Sequence, residues 1–212
     1  MKANFLFILA IIFAMDLRAE DAPPLYSQNF ENAPLNKVPA DFMVLSGEFA
    51  VKADGPNKFL ELPGAPLDTF GVLFGPAQQS DITATAKFQS RKQGRKFPTF
   101  GISLNGVAGY RLQINPAKKA LELIKNDEAK AHIDFPWESD QWTAMRIQVR
   151  HVGAKWRVQG KAWLAKAAEP QEWMIAVEES EEPPSGRAGV WGMPFSGHPI
   201  RFDDLAVTRA LP

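Results

Sequence analysis

The stretch Gln141–Leu164, QWTAMRIQVRHVGAKWRVQGKAWL, decides the fold. Its first half puts Met145, Ile147 and Val149 on one side and Trp142, Arg146, Gln148 and Arg150 on the other. After Val152-Gly153 the alternation resumes, with Trp156, Val158, Ala162 and Leu164 set against Arg157, Gln159, Lys161 and Trp163. A period of two belongs to an extended strand, whose successive side chains leave opposite faces. A glycine turn between two such runs makes them antiparallel neighbours in one hairpin. One face of each run is apolar enough to be core, and the other is solvated.

The same pattern spreads outward from this pair. In Tyr110–Asn115, Tyr110, Leu112 and Ile114 point inward and Arg111 and Gln113 outward; in Ile82–Ser90, Ile82, Ala84, Ala86 and Phe88 point inward and Lys87 and Gln89 outward. Fourteen short runs of this kind, among them Leu25–Glu31, Phe42–Lys52 and Ile200–Arg209, are separated by Gly, Pro, Asn and Asp. Asn105-Gly106 and Asn126-Asp127 carry hairpin turn chemistry. The acidic, proline-broken Glu178–Gly186 reads as a solvated loop. Helical spacing and internal repeats are both missing from the chain after its N-terminal segment, so the expectation is an all-β sandwich or barrel of mostly antiparallel strands.

The N-terminal segment reads differently. MKANFLFILAIIFAMDLRAEDAPP joins a basic start at Lys2 to an apolar run from Phe5 to Met15 and a small residue at Ala19. That is the layout of a cleaved secretory signal, and the run is too short for the ~20 residues that span a bilayer. The expected organisation is a signal over 1–19, a short linker over 20–24 and one β-sandwich domain over 25–210, exported to the periplasm or beyond, with no integral membrane segment after cleavage. There is no cysteine, so neither a disulfide nor a thiolate metal site can form and the fold rests on core packing. Losing Lys2, Arg18 and Asp16 with the signal changes 24 basic and 24 acidic residues to 22 and 23, without the basic excess of a nucleic-acid binder.

The outward faces repeat one chemistry: arginine or lysine, glutamine and an occasional tryptophan. Forked and amide groups bridge neighbouring hydroxyls, and an indole offers an apolar platform to a sugar ring. Arg111, Gln113, Arg146, Gln148 and Trp163 are therefore the expected ligand-binding residues, and a glycan the expected ligand. The plainer alternative is that these long side chains keep outer strands solvated.

Four segments carry a family resemblance: W-x-A-x-R-x-Q-V from Trp142, GKAWLAKAAEPQEW from Gly160 to Trp173, GRAGVWG from Gly186 to Gly192, and FDDLAV from Phe202 to Val207. Over Leu25 to Ala210 the chain resembles the concanavalin A-like lectin and glucanase superfamily, and more narrowly is similar to secreted bacterial laminin-G-like and 3-keto-disaccharide-hydrolase-like domains. The resemblance implies a jelly-roll of two curved antiparallel sheets, with glycans on the concave face or its rim loops. On a concave sheet the five residues above would stand as a group.

Catalytic machinery is harder to find. Glycoside cleavage needs two carboxylates held about 5 to 10 Å apart. The E-x-D-x-E strand of laminarinase-like members does not occur here; where enzyme-like relatives carry an acid after the aromatic of FGISLNGVAGYRLQIN, this chain has Arg111 after Tyr110. His132, His151 and His198 lack metal-ligand spacing, and there is no nucleophile elbow or phosphate loop. No catalytic residue, metal ligand or cofactor is assigned. The alternatives to a glycan-binding domain are a glycoside hydrolase-like enzyme of relaxed pattern and an interaction module of the cell envelope.

One acidic pair stands out, in PIRFDDLAV over Pro199–Val207. Strict alternation puts Arg201, Asp203, Leu205 and Val207 on one side and Phe202, Asp204 and Ala206 on the other, which directs Asp203 inward and forbids the two acids from sharing a ligand. Hydrogen bonds to backbone amides or to Arg201 would satisfy an inward Asp203, and a structural calcium held together with Glu31 is the sharper alternative.

Overall fold

The computed structural model describes residues 23–64 and 68–210. The expected signal at 1–19 lies outside the described residues, and so do the first residues of the linker. In chain order the strands are β1 (Tyr26–Gln28), β2 (Met43–Ser46), β3 (Ala50–Asp54), β4 (Asn57–Leu62), β5 (Phe70–Gln78), β6 (Ile82–Gln89), β7 (Thr99–Leu104), β8 (Tyr110–Asn115), β9 (Ala120–Lys125), β10 (Glu128–Asp134), β11 (Thr143–Val152), β12 (Lys155–Leu164), β13 (Ile175–Glu179), β14 (Gly186–Met193) and β15 (Ile200–Arg209). They form two antiparallel sheets packed face to face. The first runs β13-β12-β11-β6-β15-β4-β3, with β1 also paired to β15; the second runs β10-β9-β8-β7-β14-β5-β2.

The expected hairpin over Gln141–Leu164 is present, with Val152 opposite Lys155 across Gly153-Ala154. Gly153 takes a φ of 65° in that turn, the left-handed conformation glycine reaches without strain. Asn126 and Asp127, at φ 53° and 59°, close β9 onto β10 in the same way. Inward side chains from the two sheets interlock in one core. Phe88 of the first sheet stacks on Phe100 of the second at 5.3 Å between ring centres, and Phe202 meets Phe88 edge-on at 5.5 Å. Leu112 fills a notch in the opposite sheet: a Cβ on Gly160 would stand 2.4 Å from Leu112 Cδ1.

The structure corrects the sequence reading in three places. Phe42–Lys52, expected as one strand, is broken at Gly47 (φ 102°) into β2 of the second sheet and β3 of the first. The acidic run starts inside β13, where Glu178 pairs with Lys155 and Arg157 and Glu179 with Lys125. Most consequentially, β15 carries a bulge. Asp203 pairs with Lys87 and Ala206 with Thr85, so three steps on β15 match two on β6, and Asp204 is the extra residue at φ 48°. The bulge resets the alternation. Phe202, Leu205 and Val207 are all core, while Arg201, Asp203 and Ala206 face outward. Asp203 therefore does not point inward as strict alternation requires.

Candidate functional site

The five expected ligand-binding residues do not form one group. Arg111 and Gln113 project from β8 on the outer face of the second sheet, whereas Arg146, Gln148 and Trp163 project from β11 and β12 on the outer face of the first. The thickness of the core separates the two sets. On the first sheet, Arg146 is engaged by Glu169 at 2.8 Å, and Lys161 binds the same carboxylate at 2.7 Å while its ammonium sits 4.9 Å from the Trp173 ring centre. The segment after β12 thus folds back over these cations. Gln148 Oε1 accepts a hydrogen bond from Thr83 Oγ1 at 3.1 Å. Of this set only Trp163 keeps a half-buried ring without such a partner.

The outer face of the second sheet is better built. Cross-strand register aligns His132, Glu122, Gln113, Gly101, Trp191 and Gly71 in one row across β10, β9, β8, β7, β14 and β5. The adjoining row reads Ile124, Arg111, Ser103, Gly189, Leu73 and Met43. Trp191 therefore has a glycine on each neighbouring strand, and Gly189 precedes it by two positions on its own strand. A trough of about 160 Å³ lies beside it, with bare backbone at Gly71, Gly106 and Gly189 and the side chains of Leu45, Leu73, Ser103, Val107, Arg111 and Trp191 in its lining. The Arg111 guanidinium lies 5.1 Å from the Trp191 ring centre and is anchored by an ion pair to Asp127 at the β9–β10 turn.

Trp191 is only 4% exposed, and its Nε1 donor has no partner. A buried N–H without an acceptor costs about 1–3 kcal/mol, so the indole that lines the trough carries an unused donor. Farther along the row, Glu122 is 3% exposed and accepts hydrogen bonds from Gln113, from Asn115 Nδ2 at 3.3 Å and from Lys118 Nζ at 2.9 Å. Burial raises the Glu122 carboxyl, but the bonds from Lys118, Gln113 and Asn115 outweigh it and hold the group below the usual range. Glu122 is thus a fixed, ionised acceptor that orients Gln113. It lacks the raised pKa of a general acid.

Trp191 was missed among the expected residues, although its signal was available. In GRAGVWG, Ala188 and Val190 alternate with Gly189 and Trp191, so the inward pair already sends the tryptophan outward. Asp203 and Glu31 are held by separate donors: Glu31 Oε1 accepts from Lys58 N at 3.1 Å, while Asp203 accepts from Asn57 Nδ2 at 3.1 Å and from Asp204 N at 2.8 Å. Among the described residues no three His, Asp or Glu side chains converge on one point, and no helix is long and apolar enough to cross a membrane.

No family model and no curated protein matches the sequence. Solved structures do match the fold. The carbohydrate-binding module CBM66 from Bacillus subtilis superposes with a TM-score of 0.55 at 11% identity, over 79% of this chain and 95% of that one. The carbohydrate recognition domain of Emp47p gives 0.60 at 10% identity, over 91% and 99%. The lectin UEA-II, solved with galactose, gives 0.52 at 12% identity, over 89% and 100%. The chain thus has the all-β, concanavalin A-like jelly-roll fold that the sequence resemblance implied.

Proposed function

We propose that this chain is a carbohydrate-binding domain and that its ligand lies along the outer face of the second sheet. The observation that carries the reading is the Trp191 indole, lining a glycine-flanked trough and carrying an Nε1 donor without a partner. A sugar hydroxyl that displaces the groups covering Nε1 supplies the acceptor this donor lacks, and the row continues into Gln113, a planar amide pre-set by Glu122. Arg111, held over the ring by Asp127, supplies a fork of donors at the rim. The lectin-like neighbours add support at the level of the fold. Binding without turnover fits best, because Glu122 is saturated with donors and held ionised. The signal-like leader agrees with a role outside the cytoplasm, where polysaccharides are met.

Gly71→Val tests this reading. A Cβ at Gly71 meets only ordinary contacts, at 3.6 Å from Trp191 Cβ and 3.7 Å from Leu45 Cδ1, so the backbone accepts a side chain there, on a residue that lines the trough. On an array of plant, fungal and bacterial oligosaccharides the wild type should bind and Gly71→Val should lose at least tenfold in affinity. Equal binding by a folded Gly71→Val would overturn the assignment.

A further inference from the structure

A second cleft lies on the opposite face of the sandwich, over β6. Lys87 and Gln89 form its floor; Asn57 and Phe59 of β4, with Asp203 and Asp204 of the β15 bulge, form one wall, and Gln141, Trp142 and the turn at Ala165-Lys166 form the other. Its volume is about 510 Å³, within the ~300–1,000 Å³ range of small-molecule sites. The bulge creates it: the extra residue at Asp204 lets two adjacent acids line one cleft, which a regular strand would not allow.

The lining is organised before any ligand arrives. Asp203, 6% exposed, is fixed by Asn57 and by the Asp204 amide. Arg201 lies 4.5 Å from the Phe59 ring centre and donates to Asp54 at 3.1 Å and to Gln89 at 3.2 Å. Lys87 pairs with Asp204 at 2.5 Å, and Lys166 donates to Gln141 at 3.1 Å. Trp142 is braced edge-on by Phe59 at 6.3 Å, and its carbonyl accepts from Ala165 N at 2.8 Å.

The charges decide the ligand class. Asp54, Asp203 and Asp204 balance Lys87, Lys166 and Arg201, and two of these cations are already paired to acids of the lining. An anion or a metal ion would have to break those pairs, whereas a neutral polyol uses donors and acceptors together and lays an apolar ring face on an indole. Trp163 extends the surface, because register aligns it with Ala144, Lys87 and Asp203, and the small Ala144 leaves the way open.

We propose that this cleft is a second saccharide site, on the face opposite Trp191, and that the domain is bivalent and cross-links glycan chains. The ligand class follows the reading of the first site, but the cleft stands on its own geometry.

The test is titration of the ¹⁵N-labelled protein with laminarihexaose, cellohexaose, mannohexaose and galactose, following the six tryptophan indole signals. The expected result is that the Trp142 and Trp191 signals both move, each with its own saturation. Trp142→Leu, which keeps an apolar side chain beside Phe59, should abolish cross-linking of a soluble polysaccharide yet leave the Trp191 shift intact; Ala165→Glu, which blocks the cleft from the same wall, should do the same. Movement of Trp191 alone overturns the second site and leaves the first standing. Movement of Trp142 alone overturns the first and leaves the second. No movement with any probe overturns both.

Discussion

Replacing Asp203 by asparagine should make the protein more stable at neutral and alkaline pH. Burial pushes the Asp203 carboxyl up from the ordinary 3.8 to about 6; hydrogen bonds from the Asp204 amide and Asn57 offset part of this, the neighbouring Asp204 charge adds to it, and Lys87 opposes it. The folded protein holds this proton more tightly than the unfolded chain does. The resulting stability is therefore complete below about pH 3.8 and is lost as pH rises through about 6. A shift of about two units at ~1.4 kcal/mol each sets a ceiling of about 3 kcal/mol on the cost of ionised Asp203. Asparagine removes that cost and keeps the bond from the Asp204 amide, while Asn57 can present its oxygen to the new amide. For a chain of this size each kcal/mol moves the Tm by about 2–4 °C, so Asp203→Asn should melt about 5–10 °C higher at pH 8. The two proteins should converge as the pH falls toward 4.5. Thermal melts by circular dichroism across this range give the difference directly, and common contributions from other groups cancel. A variant that melts below the wild type at pH 8, or a gap that does not change with pH, would mean that ionised Asp203 carries no such cost in the folded protein.

Other positions give sharp expectations. Gly101→Ala places a Cβ 2.2 Å from the Leu112 carbonyl oxygen; a backbone neighbour cannot swing away, so urea unfolding should show a loss of about 2 kcal/mol or more. Asp204→Val puts a β-branched residue at φ 48° and should cost about 1–3 kcal/mol, whereas Asp204→Gly should fold as well as the wild type, since the exposed ion pair to Lys87 contributes little. Glu122 behaves oppositely to Asp203: its lowered pKa gives stability that is present above the ordinary glutamate value and lost as pH falls through the folded one. Glu122→Gln should flatten the acid side of the Tm profile, and an unchanged acid limb would count against the buried network.

The sequence made the strands and their two faces legible wherever alternation was unbroken, as in Gln141–Leu164, because a half-buried strand imposes the period directly. It could not say which sheet a strand joins. Arg111 and Arg146 are both outward residues of central strands, yet they lie on opposite sides of the molecule, since alternation is a local property and sheet order is a long-range one. The bulge at Asp203-Asp204 was hidden for a related reason. An extra residue changes the phase of the alternation without changing composition, and only the core positions of Phe202 and Leu205 together reveal it. Trp191 was readable in GRAGVWG, but its significance comes from Gly101 and Gly71, which are neighbours only across the sheet.

The most direct test of the central claim is a crystal structure of the protein with an oligosaccharide that the array identifies. The expected complex has a sugar ring on the outer face of the second sheet, with a hydroxyl or ring oxygen about 2.7–3.2 Å from Trp191 Nε1 and further contacts to Arg111 or Gln113. A bound sugar that leaves Trp191 Nε1 without a partner would contradict it.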